Sequence, residues 1–261
     1  MIEKEGKKGQ VTIFIIIAIL IVAIVVLIFL YYPKIFPNTG SDTKNPIGYI
    51  QECIEDEIED NTRVIASQGG NYVMDEKSGY FYKKNDNEDG TYIRYLCYNQ
   101  EILSPTCINQ EPFLKEHIED EILNSAIEDI DGCFESMVRS YEKKGYDVDL
   151  RRGETFVEIK PGVIVTDFNS TLTLKKGEES ETYRNFDLEI NSQLHELIEV
   201  SKNILIWEMN VGDSIPEGYM YNNPYVRVEK HKKSNDVKIY LVSDVNTGED
   251  FRFAVRSLVY A

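Results

Sequence analysis

The chain is short of basic residues, histidine and tryptophan. Against 45 Asp and Glu it has 28 Lys and Arg, which gives a formal net charge of -17 at pH 7, and it contains three His and one Trp. Such an acid excess disfavours the phosphate contacts that dominate nucleic-acid affinity, so we expect no nucleic-acid partner. A content of 42% hydrophobic and 11% aromatic residues is, in turn, too high for a disordered protein.

Common catalytic signatures are also missing. The sequence has no G-x-G-x-x-G, G-x-x-x-x-G-K-[ST], G-x-S-x-G or H-E-x-x-H motif. His117, His195 and His231 fall on separate predicted elements, and no C-x-x-C pair is present to suggest a zinc site. We therefore predict no catalytic, cofactor-binding or metal-binding residues, no bound cofactor, and no enzymatic activity.

Two turns rich in Asp and Asn have the oxygen-ligand spacing that begins a calcium loop. They lie at 85–90 and 244–248, but Leu96 and Val255 stand at the twelfth positions, where a glutamate normally closes such a site. Both turns are predicted to connect strands.

The longest hydrophobic run, Val11–Tyr32, has 22 residues, of which only Thr12 is polar. As a helix it is roughly 33 Å long, enough to cross a hydrocarbon core of about 30 Å. No small-residue cleavage site follows it, so we expect it to remain as a membrane anchor. Lys4, Lys7 and Lys8 precede the run, which favours a cytoplasmic N-terminus.

On this topology, residues 33–261 lie outside the cell membrane. Three lysines against two glutamates give residues 1–32 a net charge of +1, so the remainder carries -18. All four cysteines, Cys53, Cys97, Cys107 and Cys133, follow the membrane segment, where thiols become oxidised. Of the three pairings that four cysteines allow, we favour Cys97–Cys107 with Cys53–Cys133.

The hydropathy pattern predicts an α+β fold with five segments. These are a cytoplasmic basic leader at 1–9, a transmembrane helix at 10–32, a stalk at 33–46, a part with helices and a hairpin at 47–145, and a β-rich part at 146–261. Amphipathic periodicity indicates helices at about 48–67 and from Leu114 to Tyr141. After residue 146 the period changes to two, which indicates antiparallel strands with one inserted helix at about 192–207.

Asn169-Ser170-Thr171 is the one N-x-[ST] sequon in the chain. On the predicted topology it lies outside the membrane, so Asn169 is a candidate glycosylation site. An ordinary polar strand position is the alternative.

The N-terminus resembles the class III signal segment of archaeal type IV pilin-like proteins. The resemblance lies in Lys7-Lys8-Gly9, followed by Gln10 directly before the apolar helix. It implies processing between Gly9 and Gln10 on the cytoplasmic side. Family members that polymerise usually carry a glutamate five residues into the mature chain, where this chain has Phe14.

The rest of the chain resembles a family of uncharacterised single-pass proteins from small-genome archaea. Cys53, Gln68-Gly69-Gly70, Cys133 and Phe253-Ala254-Val255-Arg256 carry that resemblance, which implies no activity. From the whole sequence we expect a membrane-anchored extracellular protein with a structural, adhesion or interaction role. It contacts lipid through residues 11–32 and either binds a protein or cell-surface partner or self-assembles. The alternatives are a pilin or minor pilin and, third, a membrane-tethered hydrolase.

Overall fold

The computed structural model describes residues 45–74, 79–83, 91–99, 106–233 and 236–257. The predicted leader, the transmembrane helix and all but the end of the predicted stalk lie outside the described residues, as does the predicted turn at 85–90. None of the described helices is long and apolar enough to span a membrane. Residues 45–261 group into one compact unit.

Helix α1 (Pro46–Gln68) begins and ends at residues suited to those positions. The Asn45 side chain accepts a hydrogen bond from the amide of Ile47 at 3.2 Å, and Pro46 occupies the first turn. At the other end Gly69 adopts a left-handed conformation with φ +85°. α1 corresponds to the helix predicted at about 48–67, and the four isoleucines at 50, 54, 58 and 65 are buried on one face.

Helix α2 (Leu114–Lys143) packs its apolar face against α1. Ile118, Ile122, Ile130 and Met137 are buried along this face. The disulfide Cys53–Cys133 joins the two helices, with a Cα–Cα distance of 6.0 Å. Two acidic amphipathic helices thus share one apolar core and leave their charged faces to solvent.

The main sheet joins early and late parts of the chain. It consists of β1 (Tyr80–Lys83), β2 (Thr91–Tyr98), β3 (Ile108–Asn109), β10 (Val226–Lys232), β11 (Val237–Asp244) and β12 (Asp250–Arg256). The order is β1-β2-β12-β11-β10, and β3 pairs with β2. β2 and β12 are parallel and the other pairs are antiparallel. The predicted boundary at residue 145 therefore separates a helix-rich part from a β-rich part, and residues from both parts contribute to the same hydrophobic core.

Six further strands form a bent antiparallel meander. β4 (Asp147–Arg152), β7 (Ser170–Lys176) and β8 (Glu179–Tyr183) form one three-stranded sheet; β5 (Phe156–Lys160), β6 (Val163–Asp167) and β9 (Asp187–Asn191) form another. Two backbone hydrogen bonds lie at the bend between the two sheets. The amide of Gly153 donates to the carbonyl of Asn169, and the amide of Phe168 donates to the carbonyl of Phe186, each with an N–O distance of 2.9 Å. Phe168 and Phe186 are fully buried there, and both ring centroids lie 5.7 Å from that of Phe134 on α2.

Two helices complete the described fold, α3 (Leu194–Val211) and the short α4 (Pro216–Asn222). The predicted inserted helix at 192–207 corresponds to α3, which ends four residues later than predicted. α4 was not predicted. The α+β class, the antiparallel-rich sheets and the presence of two disulfides are confirmed.

Candidate interaction surface

Helix α3 is apolar on two sides. Leu197, Ile198, Ile204 and Leu205 are buried against the core, whereas Trp207 and Val211 are about half exposed. Trp207 is the single tryptophan of the chain. An amphipathic surface helix normally presents polar residues to solvent, so this second apolar side marks a surface that is suited to contact.

The exposed apolar residues continue into the connection to α4. Trp207, Ile215 and Tyr219 line a pocket of 340 Å³ together with Gly218 and Asn222. Ile215 is 70% exposed, and Tyr221 on α4 is 89% exposed. We call Trp207, Val211, Ile215, Tyr219 and Tyr221 the α3–α4 shoulder.

A buried ionic cluster fixes the end of α3 beneath the shoulder. Glu208 on α3 and Lys238 on β11 are both 0% exposed, with 2.5 Å between Oε2 and Nζ. The hydroxyls of Tyr240 and Ser257 also donate to the Glu208 carboxylate, the latter at 2.7 Å. A buried charge pair is tolerated only when its remaining hydrogen-bonding capacity is satisfied, and these contacts do so for Glu208.

Lys238 also binds the chain that follows α3. Its ammonium donates to the carbonyl of Gly212 at 2.5 Å and to Asp213 at 3.3 Å. Lys230 on β10 donates to Asp213 at 2.9 Å and to the carbonyl of Ser214 at 2.6 Å. Two strands thus hold the loop between α3 and α4 in place.

The cluster changes the proton affinities of its acidic groups. Burial alone would raise the pKa of Asp213, but Lys230 and Lys238 outweigh it and lower that pKa below its ordinary value. Burial, followed by the Glu208 carboxylate, raises the pKa of Tyr240 well above its ordinary value. Tyr240 therefore remains a neutral donor and Asp213 a charged acceptor at neutral pH.

A second polar cluster lies at the end of α1. Arg94 donates to Asn71 at 2.8 Å and to Glu111 at 3.0 Å, and its Nη1 atom lies 2.8 Å from Nε2 of His117. The same His117 nitrogen also lies 3.1 Å from Oδ1 of Asn71. The cluster ties β2 to the start of α2, which gives His117 a structural role.

A mixed pocket of 460 Å³ lies between α1, the start of α3 and the β11–β12 turn. Ile164, Leu197, Arg63 and Glu249 are among the residues that line it. Glu249 accepts a hydrogen bond from the amide of Gln193 at 2.5 Å, which satisfies a donor at the start of α3. That carboxylate therefore already has a structural partner.

The structure places the sequence-predicted site residues at several separate positions. The disulfides are Cys53–Cys133 and Cys97–Cys107, the two pairs favoured from the sequence. Asn169 is exposed at the bend of the meander with φ +40°. Its backbone amide donates to the Asp167 carboxylate at 2.7 Å. The candidate processing residues Gly9 and Gln10 lie outside the described residues.

The histidines lie on three different elements, α2, α3 and β10. Asp244 of the predicted turn at 244–248 accepts hydrogen bonds from the amides of Asn246 and Thr247. In the described part of the chain, no group of three or more His, Cys, Asp or Glu side chains is arranged to hold a metal ion.

The shoulder itself was missed from the sequence. Ile206 and Trp207 lie within the predicted third helix but were not assigned a role. The run Ile204-Leu205-Ile206-Trp207 could have indicated the exposed apolar surface. Four consecutive apolar residues of a helix cannot all face one core.

Comparison of the chain with protein-family models, with curated proteins and with solved structures finds no match.

Proposed function

We propose that the chain is a single-pass membrane protein, anchored by residues 11–32 with its N-terminus in the cytoplasm. Residues 33–261 lie on the outside and have a structural, adhesion or interaction role. The hydrophobic run and the lysines before it support the anchor and its direction.

The two disulfides are the observation that carries this proposal. Cys53–Cys133 joins α1 to α2, and Cys97–Cys107 joins β2 to the segment that leads into β3. Disulfides persist in oxidising compartments and are rare in a reducing cytosol. A body with two such bonds and no free cysteine among the described residues is therefore suited to the outer face of a membrane.

The α3–α4 shoulder supports the interaction part of the proposal. Tryptophan and tyrosine are enriched in the centres of protein interfaces because they supply large apolar area at low conformational cost. The buried cluster holds the end of α3 and the loop that follows it in place. A partner would therefore bind the shoulder with little loss of backbone entropy. We propose a protein of the same cell surface as the partner.

Disulfide mapping on native membranes tests the proposal. Cells are lysed in an alkylating reagent that blocks free thiols, and peptides are analysed without reduction. We expect the pairs 53–133 and 97–107, with no alkylated cysteine. Full alkylation of all four cysteines would show that the body folds in a reducing compartment and would refute the extracellular location.

The N-terminal peptide from the same digest separates a signal anchor from a processed pilin. A plain anchor retains Met1 or Ile2 and the basic leader, whereas a pilin begins at Gln10. A mature start at Gln10, together with sedimentable filaments that contain this chain, would replace the anchor proposal with the pilin alternative.

A further inference from the structure

A cavity of 680 Å³ lies beside the shoulder, between the N-terminal half of α3 and the segment that joins α4 to β10. This volume lies within the range of about 300–1,000 Å³ that is usual for small-molecule sites. Five carboxamide side chains line the cavity. These are Gln193, Asn203, Asn222, Asn223 and Asn246, and we call the cavity the amide cleft.

Three of these amides are held in fixed orientations by helical backbone. The Nδ2 atom of Asn203 donates to the carbonyl of Glu199 at 2.9 Å, and those of Asn222 and Asn223 donate to the carbonyls of Gly218 and Tyr219, each at 3.2 Å. Each side chain keeps its amide oxygen as an acceptor for another group. The cleft therefore offers preorganised acceptors for a ligand with hydroxyl or amide donors.

Tyr225 adds an aromatic face to this polar lining. Its side chain is 63% exposed and follows Pro224 on the wall of the cleft. An exposed ring packs well against the flat apolar face of a ligand, while its hydroxyl remains hydrated.

The charges in the cleft exclude one class of ligand. Glu196, Glu199 and Asp244 line it together with His195, and none of the lining residues in the described part of the chain is a lysine or an arginine. Oε2 of Glu196 is buried without a hydrogen-bond partner among the described residues. His195 is the one basic side chain among the described lining residues, and its Nδ1 atom lies 3.7 Å from Oε1 of Glu196. A phosphate, sulfate or carboxylate ligand would therefore meet an excess of negative charge there.

We infer that the amide cleft binds an uncharged carbohydrate, such as a short stretch of a cell-surface glycan. A sugar ring carries hydroxyls on its edge, which suit amide and carboxylate acceptors, and an apolar C–H face, which suits an aromatic ring. This inference rests on the proposed function, since it names the ligand class of a module that faces the cell exterior.

Binding to uncharged oligosaccharides tests the inference. The full chain is reconstituted in lipid nanodiscs, which avoids detergents with sugar headgroups, and is titrated with maltotriose, cellotriose, mannotriose and N-acetylchitotriose. Calorimetry and saturation-transfer NMR report binding. We expect saturable binding of at least one trisaccharide, with an affinity that changes little when salt is raised, because no ion pair is formed.

Two variants locate the binding, and a third is the matched control. Tyr225→Ala removes the aromatic face and Asn222→Leu removes an amide oxygen, and each should weaken binding by about tenfold. Phe113→Ala removes an aromatic ring that is 71% exposed and lies outside both the cleft and the shoulder, so it should leave the affinity unchanged. Thermal unfolding of each variant confirms that the fold is retained.

Three results would overturn the inference. They are no binding of any of the four trisaccharides, equal binding by wild type and the Tyr225→Ala and Asn222→Leu variants, and salt-sensitive binding of trilysine in place of the sugars. The last result would identify the cleft as a site for basic peptides. Disulfide mapping remains independent, so a chain with mapped disulfides that binds no sugar would refute the ligand class and leave the proposed location intact.

Discussion

Gly153 lies where two strands of the meander come closest at the bend. A Cβ atom at this position would lie 2.6 Å from Nδ2 and 2.8 Å from the backbone oxygen of Asn169. Gly153 also donates a backbone hydrogen bond to Asn169 at 2.9 Å, so the two segments cannot separate without losing that bond. The residue is needed here for its lack of a side chain.

We predict that Gly153→Ala lowers the free energy of unfolding by about 1–3 kcal/mol, the usual cost of forcing an extra carbon into a packed site. The measurement is urea unfolding of the purified chain. Gly132→Ala is the control, because Gly132 lies in α2 with nothing within 4 Å of its added Cβ. There alanine should raise stability by about 0.5–1 kcal/mol through helix propensity. Equal effects of the two substitutions would contradict the close approach at the bend.

Tyr240 makes the free energy of unfolding depend on pH in the alkaline range. Its pKa is raised above the ordinary 10.0, so above pH 10 the unfolded chain loses this proton while the folded chain keeps it. The stability linked to Tyr240 is therefore fully present below pH 10 and decreases as the pH rises further.

Tyr240→Phe should lower stability at pH 8 by about 1 kcal/mol, through loss of the hydrogen bond to Glu208. It should also make the decline above pH 10 shallower, because the ionising group is gone. Part of the decline will remain, since other tyrosines have a raised pKa, among them Tyr183 at about 12. Urea unfolding at pH 8 to 11 checks both effects, and parallel pH profiles for variant and wild type would contradict the assignment.

The two disulfides close loops of different length. Cys53 and Cys133 are 80 residues apart, and Cys97 and Cys107 are 10 apart. Chain-entropy reasoning gives about 4.5 kcal/mol for the long loop and about 2.7 kcal/mol for the short one.

We therefore expect Cys53→Ser with Cys133→Ser to destabilise the chain more than Cys97→Ser with Cys107→Ser, by about 2 kcal/mol. Urea unfolding of the two double variants measures the difference. A larger loss from the 97–107 variant would mean that loop entropy is not the main contribution of these bonds.

Elements with their own local signal were predictable from the sequence. α1 and α2 have long apolar stripes and clear end signals, and the structure gives 46–68 where 48–67 was predicted. β8 has almost no buried residue, so it shows no alternation, and α4 is too short to show a helical period. The shoulder and the amide cleft depend on tertiary packing, since Glu208 meets Lys238 across 30 residues of sequence.

The first and last parts of the described body depend on each other. The parallel pairing of β2 with β12 places Cys97 beside Val255, and α1 packs against strands from the end of the chain. Most buried hydrophobic residues of the described part therefore share one core, and Ile93, Ile239 and Ala254 form a separate small cluster. The predicted membrane anchor precedes this body in the sequence.

The proposed topology places this body outside the membrane and the basic leader inside. The most direct measurement is labelling of intact cells with a membrane-impermeant, amine-reactive biotin, followed by peptide mapping. We expect labelled Lys160, Lys175 and Lys232 in intact cells, because these side chains are exposed. Lys4, Lys7 and Lys8 should be labelled only after lysis. Labelling of Lys160, Lys175 and Lys232 only in lysed cells would contradict the proposed topology.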